Sequence, residues 1–228
     1  MTTEEITKTI LSDRVAAQLH SIGVKRPIKR CTPLGIDTSR FAPLMQKEKG
    51  TILFVGRLVP EKSPLILVET LRILRERGIS VKLIMVGDGA LKAQIEKTAT
   101  SLQLNELLTL KGDVPYSEVQ RFYEKSEIFV LPSQREGLSS ALLEAMSSGC
   151  VCIASDIRDN LAVIRHMFNG LIFHVNDAKD LADQICSVLS LPDTEVAKLT
   201  SHARKTVERA YSVQVVAEAL REVFTELE

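Results

Sequence analysis

From Thr51 onward, short apolar runs rich in β-branched residues alternate with longer segments of helical period. Few architectures accept that order, and the one it specifies is a parallel sheet covered by helical crossovers. The runs predict strands over Thr51–Gly56, Val81–Val86, Leu107–Leu110, Ile128–Leu131, Val151–Ala154 and Leu171–Phe173. Nearly all are continuously apolar, as strands buried on both faces are. Crossover helices are predicted over Pro64–Arg77, Leu91–Leu102, Tyr116–Lys125, Ser140–Ser148 and Leu181–Leu191, with spacings such as Leu67, Leu71, Leu74. Two more, Glu195–Arg209 and Ser212–Glu226, follow, the last with Val213, Val216, Leu220, Val223 and Phe224 along one side. The expected class is α/β.

The first fifty residues break this pattern. Asp13–Ile22 can form one helix and Lys29–Thr32 a short strand, while residues 33–50 collect proline, glycine and charge without a period. The chain therefore divides into a linker-like segment, 1–50, and a body, 51–228. Its 29 Lys+Arg balance 29 Asp+Glu, so no net field draws it toward nucleic acid or acidic lipid, and no nucleic-acid partner is expected. No apolar run approaches the roughly 18 to 20 residues of a membrane helix, and MTTEEITKTILSDR carries acids where a signal peptide would carry bases. Four cysteines match neither a disulfide scaffold nor a paired metal motif. A cytoplasmic protein without a transmembrane segment is the expectation.

In an open parallel sheet the ligand crevice lies beyond the carboxyl ends of the strands. Two loops there are loaded with chemistry. The first reads Gly56-Arg57-Leu58-Val59-Pro60-Glu61-Lys62-Ser63 and ends in Ser63-Pro64, a predicted N-cap serine with proline at the first helical position. Two cations flanking a helix start suit phosphate, although each alone reads equally as a solvated loop residue. The loop nearly matches G-x-x-x-x-G-K-S, but Glu61 stands at the second glycine. A side chain there would keep the amides from wrapping the anion, and its charge would face the phosphates, which argues against an NTPase.

The second loop runs from Pro132 through Gln134, Arg135, Glu136, Gly137, Leu138 and Ser139 into a helix opened by Ser140. Free amides and the helix dipole there favour a diphosphate, and Glu136 and Glu144 are placed to accept from sugar hydroxyls. Singly, each glutamate would pass for a helix-surface or cap-region acid. Gly87-Asp88-Gly89 begins like a dinucleotide fingerprint, but Lys92 replaces its last glycine, leaving a strand-to-helix turn. Cys150 and Cys152 read as small core hydrophobes. With no Asp-x-Asp in the chain, phosphate charge is expected to meet side chains and dipoles, with no metal site.

Taken in order and spacing, FVGRLVPEKS, VGDGA, LKGDV, FVLPSQREGLSSALLEAMSSG, IASDI and NGLIF resemble the carboxyl-terminal donor-binding domain of family 4 (group 1) retaining glycosyltransferases of the GT-B fold. The resemblance runs from about Pro33 to the end and centres on Glu136 and Glu144 with seven residues between them. It implies a Rossmann-like sheet with helices on both faces, one half of a GT-B enzyme. The implied donor is a nucleoside-diphosphate sugar, with no cofactor. By the same resemblance Arg57 and Lys62 bind the diphosphate, Glu136 contacts the transferred sugar near the reaction centre, and Glu144 binds the ribose. Gly137 and the amides of Leu138, Ser139 and Ser140 hold phosphate. Gly112 and Val114 line the base, and Gly35 and Gly56 complete the donor site. The expected catalytic set is Glu136, Arg57 and Lys62.

Pro33-Leu34-Gly35-Ile36-Asp37 departs from the usual Pro-Asn-Gly-Val-Asp, and Val151 replaces the usual proline. A GT-B enzyme has two such domains with the site between them; here one is present, with Asp13–Ile22 resembling the last helix of the other. The activity implied is hexose transfer with retention to an unspecified acceptor. It would need an amino-terminal acceptor domain or partner chain, through which peripheral membrane association would come. The rival readings are a non-catalytic nucleotide-sugar-binding module, half of a split enzyme and, with less support, a sugar-nucleotide epimerase.

Overall fold

The computed structural model describes Ser21, Gly23, residues 34–43 and residues 46–225. Of the amino-terminal expectations, Lys29–Thr32 and all of Asp13–Ile22 except Ser21 lie outside the described residues. The sheet comprises β1 (Glu48–Val55), β2 (Lys82–Val86), β3 (Leu108–Leu110), β4 (Ser126–Leu131), β5 (Val151–Ser155) and β6 (Leu171–Phe173). Its order is β3-β2-β1-β4-β5-β6, and every neighbouring pair is parallel. Ile52 registers with Leu83 of β2 and Ile128 of β4. Strand order reverses between β1 and β4, which opens a crevice at their carboxyl ends.

The period of two in each strand divides the core between the two faces of the sheet. Ile52 and Phe54 of β1, Ile128 and Val130 of β4, and Val151 and Ile153 of β5 belong to one apolar cluster. Leu53, Phe129, Leu131, Cys152 and Ala154, their alternates, belong to the other. Helices α1 (Leu65–Glu76), α2 (Lys92–Ser101) and α6 (Ala178–Leu189) cover the first face through Leu67, Leu71, Ile95, Leu181 and Ile185. Helices α3 (Tyr116–Lys125) and α4 (Ser140–Ser147) cover the second through Val119, Tyr123, Leu142 and Met146. Each large apolar side chain buried in this way contributes about 1.5–3 kcal/mol.

The expected strands and crossover helices are all present, with ends moved by up to three residues. Helix α6 begins earlier than its apolar period, because the Asp177 carboxylate caps it by accepting from the amides of Lys179 and Asp180. Two short elements without a readable period are added: a 3-10 turn at Pro60–Lys62 and α5 at Arg158–Leu161. The turn corrects the reading of Ser63 as an N-cap. Its amide closes the turn on the Pro60 carbonyl at 3.0 Å, which sets Ser63 at φ 47. Its hydroxyl then folds back to the same carbonyl, and Pro64 is the N-cap of α1, which has no side-chain cap.

Helices α7 (Asp193–Ala210) and α8 (Val213–Thr225) follow. Residues 34–43 are threaded against them: Ile36 donates its amide to the Tyr211 carbonyl and accepts from the Val213 amide. Arg204 of α7 donates to the carbonyls of Thr38, Phe41 and Ser147, and Phe41 is buried. At the amino end of the sheet, Lys47 Nζ donates to the carbonyls of Tyr123 and Ser148, closing that end. Cys150 and Cys152 are fully buried there, and burial raises both thiol pKa values. Among the described residues no helix is long and apolar enough to cross a membrane.

Candidate functional site

The loops leaving β1, β2 and β3 are joined backbone to backbone into one wall of the crevice. The Gly56 amide donates to Val86 O, Leu58 to Asp88 O, Leu91 to Leu58 O, and Gly87 to Gly112 O, at 2.7–2.9 Å. Glycine is required at the centre of this wall: Gly87 has φ 132, and a Cβ there would lie 2.1 Å from the Gly56 carbonyl oxygen. Gly112 stands beside it with φ 68, and Val114 packs its side chain on the core beneath.

Across the switch point, the loops after β1 and β4 are held together by the Gln134 amide on the Glu61 carbonyl at 2.9 Å. Lys62 thereby reaches Glu136: Nζ lies 2.5 Å from Oε1, which also accepts from the Ser133 hydroxyl at 2.6 Å. Oε2 has no partner among the described residues. Arg57, on the same loop as Lys62, is exposed, and its guanidinium has no partner among the described residues. Beneath Ser133, the Ser155 hydroxyl donates to its carbonyl, and buried Asn160 of α5 donates to Ser155. The Gln134 amide group donates to Asn176 Oδ1, joining the loop after β6 to the rim.

The loop from Gly137 then enters α4. Ser139 is the N-cap, its hydroxyl accepting from the Leu142 amide at 3.4 Å. The amides of Leu138, Ser139 and Ser140 have no acceptor among the described residues, and a Cβ on Gly137 would meet no atom within 4 Å. Open space therefore faces three free donors at the positive end of a helix.

Glu144, one turn inside α4, is buried, with 4% exposure. Its oxygens are both taken: Tyr116 Oη donates to Oε1 at 3.0 Å and Tyr123 Oη to Oε2 at 2.9 Å. Burial raises the Glu144 carboxyl above the ordinary range, and the two phenol hydrogen bonds pull it partly back. Burial, and then the Glu144 charge, push the Tyr116 phenol up to about 12, so it is a donor throughout the physiological range.

The fold thus brings Arg57, Lys62, Glu136, Gly137 and the α4 amides to the carboxyl ends of β1 and β4, with Gly56, Gly112 and Val114 on the adjoining wall. Gly35 lies tight against α8, where a Cβ would be 2.8 Å from Val213 Cα. Sequence reasoning missed Ser133, Ser155, Asn160, Tyr116 and Tyr123, whose partners are distant in sequence or lie in elements too short to show a period.

A six-stranded parallel sheet of this order, covered on both faces and open at a switch point, is a Rossmann-like domain. Residues 35–211 match the family described as Glycosyl transferases group 1, and the chain belongs to that family. It is 27% identical over 216 residues to the putative colanic acid biosynthesis glycosyltransferase WcaL of Escherichia coli K12, covering 90% of this chain and 53% of that protein. It is also 27% identical over 214 residues to the E. coli UDP-Gal:alpha-D-GlcNAc-diphosphoundecaprenol alpha-1,3-galactosyltransferase, covering 86% and 53%. The chain spans about half the length of these relatives. Among solved structures, S. aureus TarM superposes with TM-score 0.84 at 22% identity over 96% of this chain and 44% of that one. A carboxyl-terminal domain of a group 1 protein from Francisella tularensis superposes with TM-score 0.71 at 21% identity, over 79% of this chain and 100% of that one.

Proposed function

We propose that this chain is the donor half of a retaining hexosyltransferase, holding a nucleoside-diphosphate sugar in the crevice between the loops after β1 and β4. The observation that carries the reading is the convergence there of the Arg57 guanidinium and the three amides at the start of α4, without partners among the described residues, with the Lys62 ammonium. Arg57, Lys62 and the amides of Leu138, Ser139 and Ser140 would hold the diphosphate. Glu136 Oε2 would accept from the transferred sugar, Glu144 from the ribose, and the wall containing Gly112 and Val114 would face the base.

Charge develops on the diphosphate as its bond to the anomeric carbon breaks, and cations and oriented amides fixed in advance stabilise it at little reorganisation cost. The acceptor oxygen forms the new bond on the face the diphosphate leaves, giving its proton to the departing phosphate oxygen. That acceptor must be held about 3–3.5 Å from the anomeric carbon, positioning able to supply roughly 7–11 kcal/mol of the barrier. We assign it to an amino-terminal domain or partner chain, with a carrier lipid as one acceptor class, since one E. coli relative acts on a diphosphoundecaprenol substrate. Free thiols at Cys150, Cys152 and Cys186 suit the reducing cytoplasm.

Titration calorimetry tests the donor site. At least one of UDP, GDP and ADP should bind the wild-type chain, and affinity should fall at least tenfold in Arg57→Ala plus Lys62→Ala, a loss of about 1.4 kcal/mol or more. Equal affinity in the double variant would refute the assignment.

A further inference from the structure

Tyr116 and Tyr123 make the same hydrogen bond to Glu144 from very different positions. Tyr123 is fully buried and packs edge-on against Phe41 with ring centroids 5.8 Å apart. It cannot leave without opening the core. Tyr116, the first residue of α3, is 56% exposed; its hydroxyl reaches inward to Glu144 Oε1, and its ring lies tilted against Phe41 with centroids 6.1 Å apart. Its ring is held from outside by Arg40, whose guanidinium carbon lies 4.2 Å from the ring centroid while Nη2 donates to the Tyr116 carbonyl at 2.6 Å. One oxygen of a buried carboxylate is therefore fixed for good, and the other is satisfied by a hydroxyl on a side chain that can swing into solvent.

A buried carboxylate oxygen left without a donor is unfavourable, so Tyr116 can move off Glu144 only when another hydroxyl takes its place. Tyr116 opens α3 immediately after the Gly112–Pro115 loop, so a group that took its place on Glu144 would approach beside the wall where a nucleoside is proposed to lie. We propose that the Tyr116 hydroxyl is a stand-in for a ribose hydroxyl: it satisfies Glu144 in the empty site and is exchanged for the ribose when a nucleotide binds. This rests on the donor-site reading above and adds a residue that sets affinity and ribose selectivity. Arg40 keeps the displaced ring at the rim, where it can return when the nucleotide leaves.

The test compares wild type and Tyr116→Phe, titrated with whichever of UDP, GDP and ADP binds and with the matching 2′,3′-dideoxynucleoside diphosphate. Phenylalanine keeps the ring and its Arg40 contact but leaves no hydroxyl to displace. The ribonucleotide should then bind about three- to tenfold more tightly, the span of one ordinary hydrogen bond no longer given up. Affinity for the dideoxy compound should be unchanged, because it cannot take the place of the phenol. In wild-type chain labelled with ¹³C-tyrosine, the ribonucleotide should shift the Tyr116 ring signals and the dideoxy compound should not. Ribonucleotide binding that is unchanged or weaker in Tyr116→Phe, or equal effects on both ligands, would overturn the exchange while leaving the donor site standing. Failure of every nucleoside diphosphate to bind wild type would remove both.

Discussion

Glu136 shares one oxygen between an ammonium and a serine hydroxyl at the rim of the crevice, whereas Glu144 gives each oxygen to a phenol in a buried site. The proposed function gives the two glutamates different work. In an enzyme completed with its acceptor half, Glu136→Gln should lower kcat with little change in nucleotide affinity, and Glu144→Gln should chiefly weaken nucleotide binding. Glu144→Gln should also lower the chain's own stability by about 1–3 kcal/mol, since the amide nitrogen that replaces one carboxylate oxygen cannot accept from the phenol facing it. Steady-state kinetics with calorimetry separates the two, and equal loss of nucleotide affinity in both variants would contradict the roles. The glutamates were legible from their spacing and their helix. The tyrosines were not, because 28 and 21 residues separate them from Glu144, and only the packing of α3 beside α4 joins them. Ser63 shows the opposite error: a serine before proline fits a cap by pattern, but the preceding 3-10 turn had already fixed its backbone at φ 47.

At the scale of elements, the strands were readable because burial on both faces makes each a continuous apolar run, and the helices because they pack through one side. Helix α5 and the Pro60–Lys62 turn escaped, being shorter than the span over which a helical period can be seen. The start of α6 shows how a polar cap extends an element beyond its apolar pattern. There His174, just past β6, places Nδ1 2.7 Å from Asp180 Oδ2 in the first turn of the helix. Hydrogen bonding to Asp180, and then its charge, raise the His174 pKa above 6.5. A group whose folded-state pKa is raised adds stability that is full below its unfolded value and is lost as pH rises through the folded one. His174→Ala should therefore lower the urea midpoint at about pH 6 more than at about pH 8. An equal drop at both would show that the pair carries no charge-dependent stability.

Across the whole molecule, the two ends of the sheet are built for different purposes. The amino end is closed by Lys47, which ties together the carboxyl ends of α3 and α4. The carboxyl end is left open, with glycines where the loops approach and cations where α4 begins. Residues 34–43 and α8 lie against each other, with Val213 and Val215 exposed on α8 and Val216 turned to the body. The chain carries the group 1 family from residue 35 to 211 and spans 53% of WcaL. The central claim is that a nucleoside diphosphate binds at the carboxyl ends of β1 and β4. Amide chemical-shift mapping of the ¹⁵N-labelled chain, titrated with UDP, GDP and ADP, tests it most directly. The account predicts that a binding nucleotide shifts the amides of Gly56 to Ser63 and of Leu138, Ser139 and Ser140. Shifts confined to the closed end around Lys47 and Cys150, or none with any of the three at millimolar concentration, would contradict it.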